Sequence, residues 1–421
     1  MENALCSEKG VMTLERIFAK EEYLMRLNKT KQKMMEHGIE VLLIANPSNM
    51  YYLTGYNAWS FYVYQMLIVI IDEDQPLWIG REMDAPSAVA TTWLDEHHII
   101  PYPDEFVQST IKHPMDFVAN ILSEIGQGNR KIGLEMDSFY FTAMSYERII
   151  QGLPYAEFKN LSTLVNWVRL IKSEKEIQCM KKAAKILENA MNAAYHSVDI
   201  GVRENDVVAA INQAQISGTM DYGGDYTSIV PMIPTNENTA SPHLTWTDRR
   251  YRYGDFMTIE IAGCYRRYHT PMARTMAIGK APKKVTDLAK VVIEGIETTL
   301  EAIKPGVTAE EVENIWAKTI AKHGYYKDSR LGYSIGLSYP PDWGEHTVSF
   351  RKGDRTILQP NMTFHLMPGI WMDDYGVEIT ESIRVTEKGC EVFANVPRDV
   401  FIKKPSNIST MTLQNEDQVG S

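Results

Sequence analysis

The sequence predicts an α+β protein, in which an α/β domain is followed by a second domain of paired helices and long strands. Two observations carry this. Up to about residue 165, short apolar strands alternate with helical patterns, as an α/β sheet domain requires. Beyond that point the order becomes helix pair, strands, helix pair, strands, so the second part reads as two similar halves. The 421 residues, 44% hydrophobic and 23% charged, suit two or three domains at about 150 residues each.

In the first domain, residues 21–36 are amphipathic and stop at Gly38, placed for a left-handed C-terminal turn. Residues 40–45 (EVLLIA) form a short buried strand ended by the breaker pair Asn46-Pro47. Residues 65–71 and 77–80 read as neighbouring strands joined by a DEDQP turn. Helices follow at 84–92 and 114–125, a strand at 131–135 and a helix at 141–150. A boundary near 165–173 leads into a long helix whose start carries a capping box, Ser173 with Glu176. A second helix spans 204–217, and strands run through 256–262 and 268–277. Two more helices occupy 284–303 and 308–322, the latter capped by Thr308 with Glu311. Strands at 355–358, 362–368 and 377–385 complete the chain. The expected domains are therefore 1–165, 166–403 and a polar tail at 404–421.

Charge and composition exclude several function classes. Forty-three Lys and Arg against 54 Asp and Glu give a net charge of -11, which repels phosphate backbones and argues against nucleic acid as partner. The longest apolar run, 66–71 (MLIVII), is too short to span a bilayer. The N-terminus shows no basic region followed by an apolar core, so no secretory leader is expected. Cys6, Cys179, Cys264 and Cys390 lie far apart without a CxxC, against a disulfide framework or zinc knuckle. A cytoplasmic enzyme without membrane partners is the expectation.

The segments Gly254-Asp255-Phe256-Met257-Thr258-Ile259-Glu260, Arg274-Thr275, Lys304-Pro305-Gly306-Val307-Thr308 and 362–375 resemble the catalytic domain of the pita-bread family. That family includes creatinase, aminopeptidase P, prolidase and methionine aminopeptidase, and the leading domain is similar to that of creatinase and prolidase. The resemblance covers roughly residues 20–400. It implies a creatinase/prolidase-type α/β domain followed by a pita-bread domain. Metallopeptidase members hold two metal ions through two Asp, one His and two Glu. Laid onto this chain, those positions fall on Glu260, Pro271, Tyr333, Met367 and Thr380. Pro and Met offer no hard oxygen or imidazole, and neutral Tyr and Thr are poor substitutes, so no metal is expected. His243, in Ser241-Pro242-His243, matches the family histidine that serves as base in creatinase. Strand alternation places His365 on the face of Met367, Glu378 on that of Thr380 and His269 on that of Pro271.

Residues 49–63 (NMYYLTGYNAWSFYV), 260–269 (EIAGCYRRYH), 336–345 (GLSYPPDWGE) and 378–382 (EITES) are similar to the ectoine hydrolase branch of that family. This implies opening of a cyclic amidine, the zwitterion ectoine, to N-acetyl-2,4-diaminobutyrate with no metal or cofactor. The catalytic set is then Glu260, which attacks the amidinium carbon or orients water, His243, which moves protons, and Glu378. Glu378 or Glu381 would hold the amidine N–H groups. Trp59 and Tyr62, with Tyr56, Tyr339 and Trp343, would enclose the cation. Tyr333 and His365 complete the substrate-binding set, and Arg330 or Arg81 would take the carboxylate. A creatinase-like guanidine or amidine hydrolase and an Xaa-Pro peptidase are the alternatives. The family also implies a homodimer, in which one subunit's N-terminal domain reaches the other's site, and a deacetylase as pathway partner. Simpler roles stay open from the residues alone: Glu260 paired with Arg274, His269 and His365 as satisfied strand histidines, and aromatics 56–62 as core.

Overall fold

Capping chemistry and apolar periodicity together account for most of the elements in the computed structural model, which describes residues 16–406. The N-terminal stretch in which no leader is expected, Cys6 and the tail beyond residue 406 lie outside the described residues. The chain divides after Arg169 into two units. In the first, helices α1 (Lys20–Glu36), α2 (Pro47–Thr54), α3 (Ala85–Thr91), α4 (Pro114–Glu124), α5 (Ala143–Gly152) and α6 (Leu164–Val168) accompany one sheet. Its strands are β1 (Val41–Ile44), β2 (Met66–Ile70), β3 (Leu77–Arg81), β4 (Ile99–Tyr102), β5 (Lys131–Leu134) and β6 (Glu157–Asn160). They lie in the order β4-β3-β2-β1-β5-β6, with β1–β2 and β2–β3 antiparallel and the other pairs parallel.

Gly38 does adopt φ 66°, as the stop of α1 requires. The Asn46-Pro47 pair follows the end of β1 at Ile44, as expected, and it also opens α2, a helix no sequence pattern had indicated. The Asn46 side chain accepts from Ser48 N, and Pro47 sits at the first helical position, where its missing N–H costs nothing.

In the second unit, α7 (Glu174–Ser197) starts at the expected Ser173/Glu176 box, with reciprocal bonds of 3.3 and 2.8 Å. It is followed by α8 (Glu204–Ser217), then the antiparallel pair β7 (Phe256–Tyr265) and β8 (Tyr268–Ile278). Helix α7 lies close against β7 because Gly263 has no side chain: a Cβ there would meet Ala183 O at 1.9 Å. Helices α9 (Lys283–Ala302) and α10 (Ala309–Ala321) repeat the pair, and α10 is capped by Thr308 with Glu311.

The remaining strands are β9 (Gly332–Ile335), β10 (Gly344–Phe350), β11 (Thr363–Leu366), β12 (Gly369–Trp371), β13 (Gly376–Glu378), β14 (Glu381–Val385), β15 (Cys390–Val392) and β16 (Phe401–Lys403). They form a sheet ordered β10-β9-β11-β14-β15, the hairpin β12-β13, and a parallel addition of β16 to β8. Two expected strands differ. Residues 355–358 make only the bridge Thr308↔Ile357. The run 377–385 is interrupted at Ile379 and Thr380, where Thr380 N bonds to Ala273 O and its hydroxyl accepts from Ala273 N. That detour ties the chain to β8 between β13 and β14. Among the described residues no helix is long and apolar enough to cross a membrane.

Candidate active site

A cavity of about 510 Å³ opens in the second unit, a size suited to a small molecule. Glu260 reaches it from the middle of β7, a strand buried along nearly its whole length. Its backbone is fixed on both sides, by Ala273 of β8 and by reciprocal bonds with Met232 at 2.9 and 3.0 Å. The carboxylate itself makes no hydrogen bond or ion pair among the described residues. Burial, together with the neighbouring Glu378 carboxylate, holds it well above the usual carboxylate range.

Glu378 stands at the end of β13, 1% exposed and outside the cavity lining. Its Oε1 accepts from Trp371 Nε1 at 2.8 Å, and Trp371 does face the cavity. Burial raises this carboxyl too, so two neighbouring acids share one low-dielectric region, where holding both charges is costly. His243 lines the cavity from an exposed turn. Arg330 lines it with its guanidinium 4.2 Å from the Tyr333 ring and a bond to Ser349 Oγ at 3.3 Å.

Tyr333 reaches the cavity from β9, and behind it a chain of hydrogen bonds fixes its hydroxyl. Trp343 Nε1–H donates to the Tyr333 oxygen at 2.8 Å, and that hydroxyl is also hydrogen-bonded to His365 Nδ1 at 3.2 Å. His365 Nε2 in turn shares a hydrogen bond with Thr380 Oγ at 2.8 Å. Burial pulls the His365 imidazole down to about 3, so the ring is neutral throughout the ordinary pH range.

Several expected site residues lie elsewhere. His365 does not line the cavity: it is fully buried behind Tyr333 and orients it. Glu381 does not line this cavity, and its Oε1 is held by Arg274 at 2.7 Å and Arg398 at 2.9 Å. Arg274 therefore belongs to Glu381, not to Glu260. Tyr339 is buried and stacks its ring on Arg267 at 4.6 Å, away from the lining. Trp59 and Tyr62 belong to the first unit, are 59% and 63% exposed, and line no part of this cavity. Tyr56 is core there, bonded to Ser60 at 2.6 Å. Arg81 pairs with Asp104 at 2.6 Å in that unit. His269 is a satisfied strand histidine: Nδ1–H donates to Arg267 O and Nε2 accepts from Ser228 N, both at 3.0 Å.

The sequence reading missed Lys327, Trp371 and Asp342 as lining groups. Lys327 and Asp342 sit in irregular loops with no periodic signal to flag them. Trp371 lies four residues past Met367, which also lines the cavity, and the aromatic itself is the cue that was overlooked.

The described site is thus that of a small-molecule hydrolase built on a peptidase scaffold, and comparison with known proteins agrees. Residues 178–387 match metallopeptidase family M24, and residues 26–171 match the creatinase/prolidase N-terminal domain. The chain is 44% identical over 393 residues to a protein of Halomonas elongata named ectoine hydrolase, covering 92% of this chain and 98% of that one. It is 45% identical to an uncharacterized hydrolase/peptidase of Sinorhizobium fredii, with the same coverage. The prolidase of Pyrococcus horikoshii shares the fold at a TM-score of 0.75, with 24% identity over 90% of this chain and all of that one. The chain belongs to family M24, with a creatinase/prolidase N-terminal domain followed by a pita-bread domain, and is an enzyme.

The paired-metal site that the family name implies does not fit the donors present. At its five positions, Glu260 alone offers a carboxylate. Tyr333 and Thr380 spend their hydroxyls in the chain through His365, and Thr380 Oγ also accepts from Ala273 N at 2.6 Å. Pro271 and Met367 have no hard donor. Among the described residues, the one group of three His, Cys, Asp or Glu with converging ligand atoms is Asp95, His97 and His98, in the first unit.

Proposed function

We propose that the chain opens the cyclic amidine ring of ectoine to N-acetyl-2,4-diaminobutyrate by metal-independent hydrolysis. The observation that carries this is Glu260: a buried carboxylate without a hydrogen-bond partner among the described residues, facing a cavity whose other metal-ligand positions hold Tyr333 and Met367. The similarity to a relative named ectoine hydrolase supports the choice of amidine.

An amidinium carbon is already electrophilic, so a carboxylate can add to it without a Lewis acid. The bound cation also favours ionisation of Glu260, which burial alone opposes. A Glu260 oxygen bonds to the ring carbon as the C=N π pair moves to nitrogen. The C–N bond then breaks, its electron pair leaves with the ring nitrogen, and that nitrogen takes up a proton. Water adds to the same carbon, His243 removes its proton, and Glu260 is expelled as carboxylate, leaving the acetyl group on the remaining nitrogen. Arg330 holds the substrate carboxylate by charge-assisted hydrogen bonds. The Trp343 and Trp371 rings wall the delocalised cation, at about 0.5–2 kcal/mol per contact.

The active form in this reading is a homodimer, which brings the exposed Trp59 and Tyr62 to the neighbouring subunit's cavity. It works in the cytoplasm, in keeping with the free thiols of Cys179, Cys264 and Cys390, and a deacetylase consumes the product. The test is to incubate purified protein with ectoine and follow ring opening by NMR, beside a panel of guanidines and prolyl dipeptides. Ectoine opening is expected. Intact ectoine with cleavage of a guanidine or a dipeptide would replace the substrate.

A further inference from the structure

Ring opening leaves one chemical demand unassigned, the proton for the departing nitrogen. We infer that Lys327 supplies it, acting as the general acid of C–N cleavage; this rests on the amidine-hydrolase reading above.

Lys327 lines the cavity from the loop ahead of β9. Its ammonium lies 4.0 Å from the centre of the Trp371 ring and donates to Gly369 O at 3.1 Å. Gly369 is the register partner of Glu378 across the β12–β13 hairpin. A Cβ on Gly369 would come 2.9 Å from Glu378 Cγ, so the glycine lets carboxylate and backbone oxygen crowd together beside the amine. Trp371 therefore does two things: its face carries the ammonium, and its Nε1–H holds Glu378 Oε1. The result is a mounted amine pointing at a wall of the same cavity that Glu260 enters.

The other titratable groups of the cavity serve this step poorly. Arg330 does not release a proton in a protein. Burial keeps the Tyr333 phenol far above neutrality, and its oxygen is held between Trp343 Nε1 and His365 Nδ1. Asp342 accepts from Gly344 N at 2.9 Å and from His346 Nε2 at 2.7 Å, and those bonds hold it ionised. Glu260 is the nucleophile, and His243 takes the proton of the attacking water. Burial brings the Lys327 ammonium down to about 8, against the pull of Glu378, so it can both carry and release a proton near neutral pH.

The step balances. As the C–N bond breaks, its electron pair stays on nitrogen, a Nζ–H proton moves to that nitrogen, and Lys327 is left as a neutral amine. The proton that His243 takes from water returns to Lys327 through solvent, so one turnover consumes one water and no net acid.

The experiment is steady-state turnover of ectoine between pH 6 and 10 by the full-length wild type, Lys327→Met and Lys327→Arg. Both variants are expected to lose about 100-fold or more in kcat, with KM within a few-fold, since arginine keeps the charge but cannot act as acid. The wild-type kcat profile is expected to fall on an alkaline limb near pH 8 that shifts strongly with temperature, as amine ionisation does. Restoration of kcat by Lys327→Arg would reduce Lys327 to a structural charge and overturn the inference. A temperature-insensitive limb, measured on the wild type alone, would overturn it even if the variants did not fold. If the wild type opens a different amidine or guanidine, only the substrate assignment fails, and the same three proteins are compared on that compound.

Discussion

Glu260 and Glu378 are both buried and both held above the usual carboxylate range, yet what their oxygens touch separates their roles. Glu378 is anchored by Trp371, whereas the Glu260 carboxylate faces open cavity. Glu260→Gln is nearly isosteric and removes the proposed nucleophile, so kcat is expected to fall by about 10³-fold or more while substrate still binds. Steady-state kinetics with a calorimetric binding control checks this, and full activity in the variant would remove Glu260 from the chemistry. On the proposed reading, Arg330 acts on binding, not on bond breaking. Loss of a charge-assisted hydrogen bond, about 1.5–3 kcal/mol, predicts a 10- to 100-fold rise in KM for Arg330→Met with kcat little changed.

The break between β13 and β14 decides where the acids of the EITES run point. Glu378 stays with the hairpin beside Glu260, whereas Glu381 turns to Arg274 and Arg398. With Arg274 and Glu381 at 0% and 1% exposed, Glu381→Gln leaves buried guanidinium charge uncompensated. A loss of about 3–5 kcal/mol is expected, read by denaturant unfolding. The sequence made the helices legible because capping boxes at Ser173 and Thr308 and the glycine at 38 act within a few residues. Glu260, His243 and Tyr333 were legible for another reason: they sit inside motifs that resemble a known family, whereas Arg330 was chosen on charge alone, beside Arg81. The Arg274–Glu381 pair was not, since its partners lie 107 residues apart and no local pattern records which acid faces which base. The same holds for His365, where alternation gave the correct face but not the Tyr333 side chain standing between it and the cavity. Asn46-Pro47 was read correctly as the end of a strand, but the helix that the same two residues start was not.

Taken across both units, the buried titratable groups set an asymmetric response to pH. Burial lowers His365 to about 3 and pushes His269 well below 6.5, so both bind a proton only on unfolding. Their contribution to stability is complete above about pH 6.5 and is lost as the pH falls toward 3. Like the buried Glu260 and Glu378, Glu135 of the first unit is raised by burial, to about 7, so it is protonated in the fold and ionises on unfolding above about 4.5. Its contribution is lost as the pH rises from 4.5 to 7. The two trends oppose each other between 4.5 and 6.5, and below 4.5 only the histidine trend remains. Thermal midpoints are therefore expected to change little near neutrality and to fall steeply below pH 4.5, with a shallower fall in His365→Gln. The most direct test of a carboxylate working without cations is to strip the purified enzyme with a chelator, determine its metal content, and measure ectoine opening on the same sample. Undiminished turnover with only trace metal is the expected result. Activity lost on stripping and restored in proportion to about two added divalent ions per chain would contradict it.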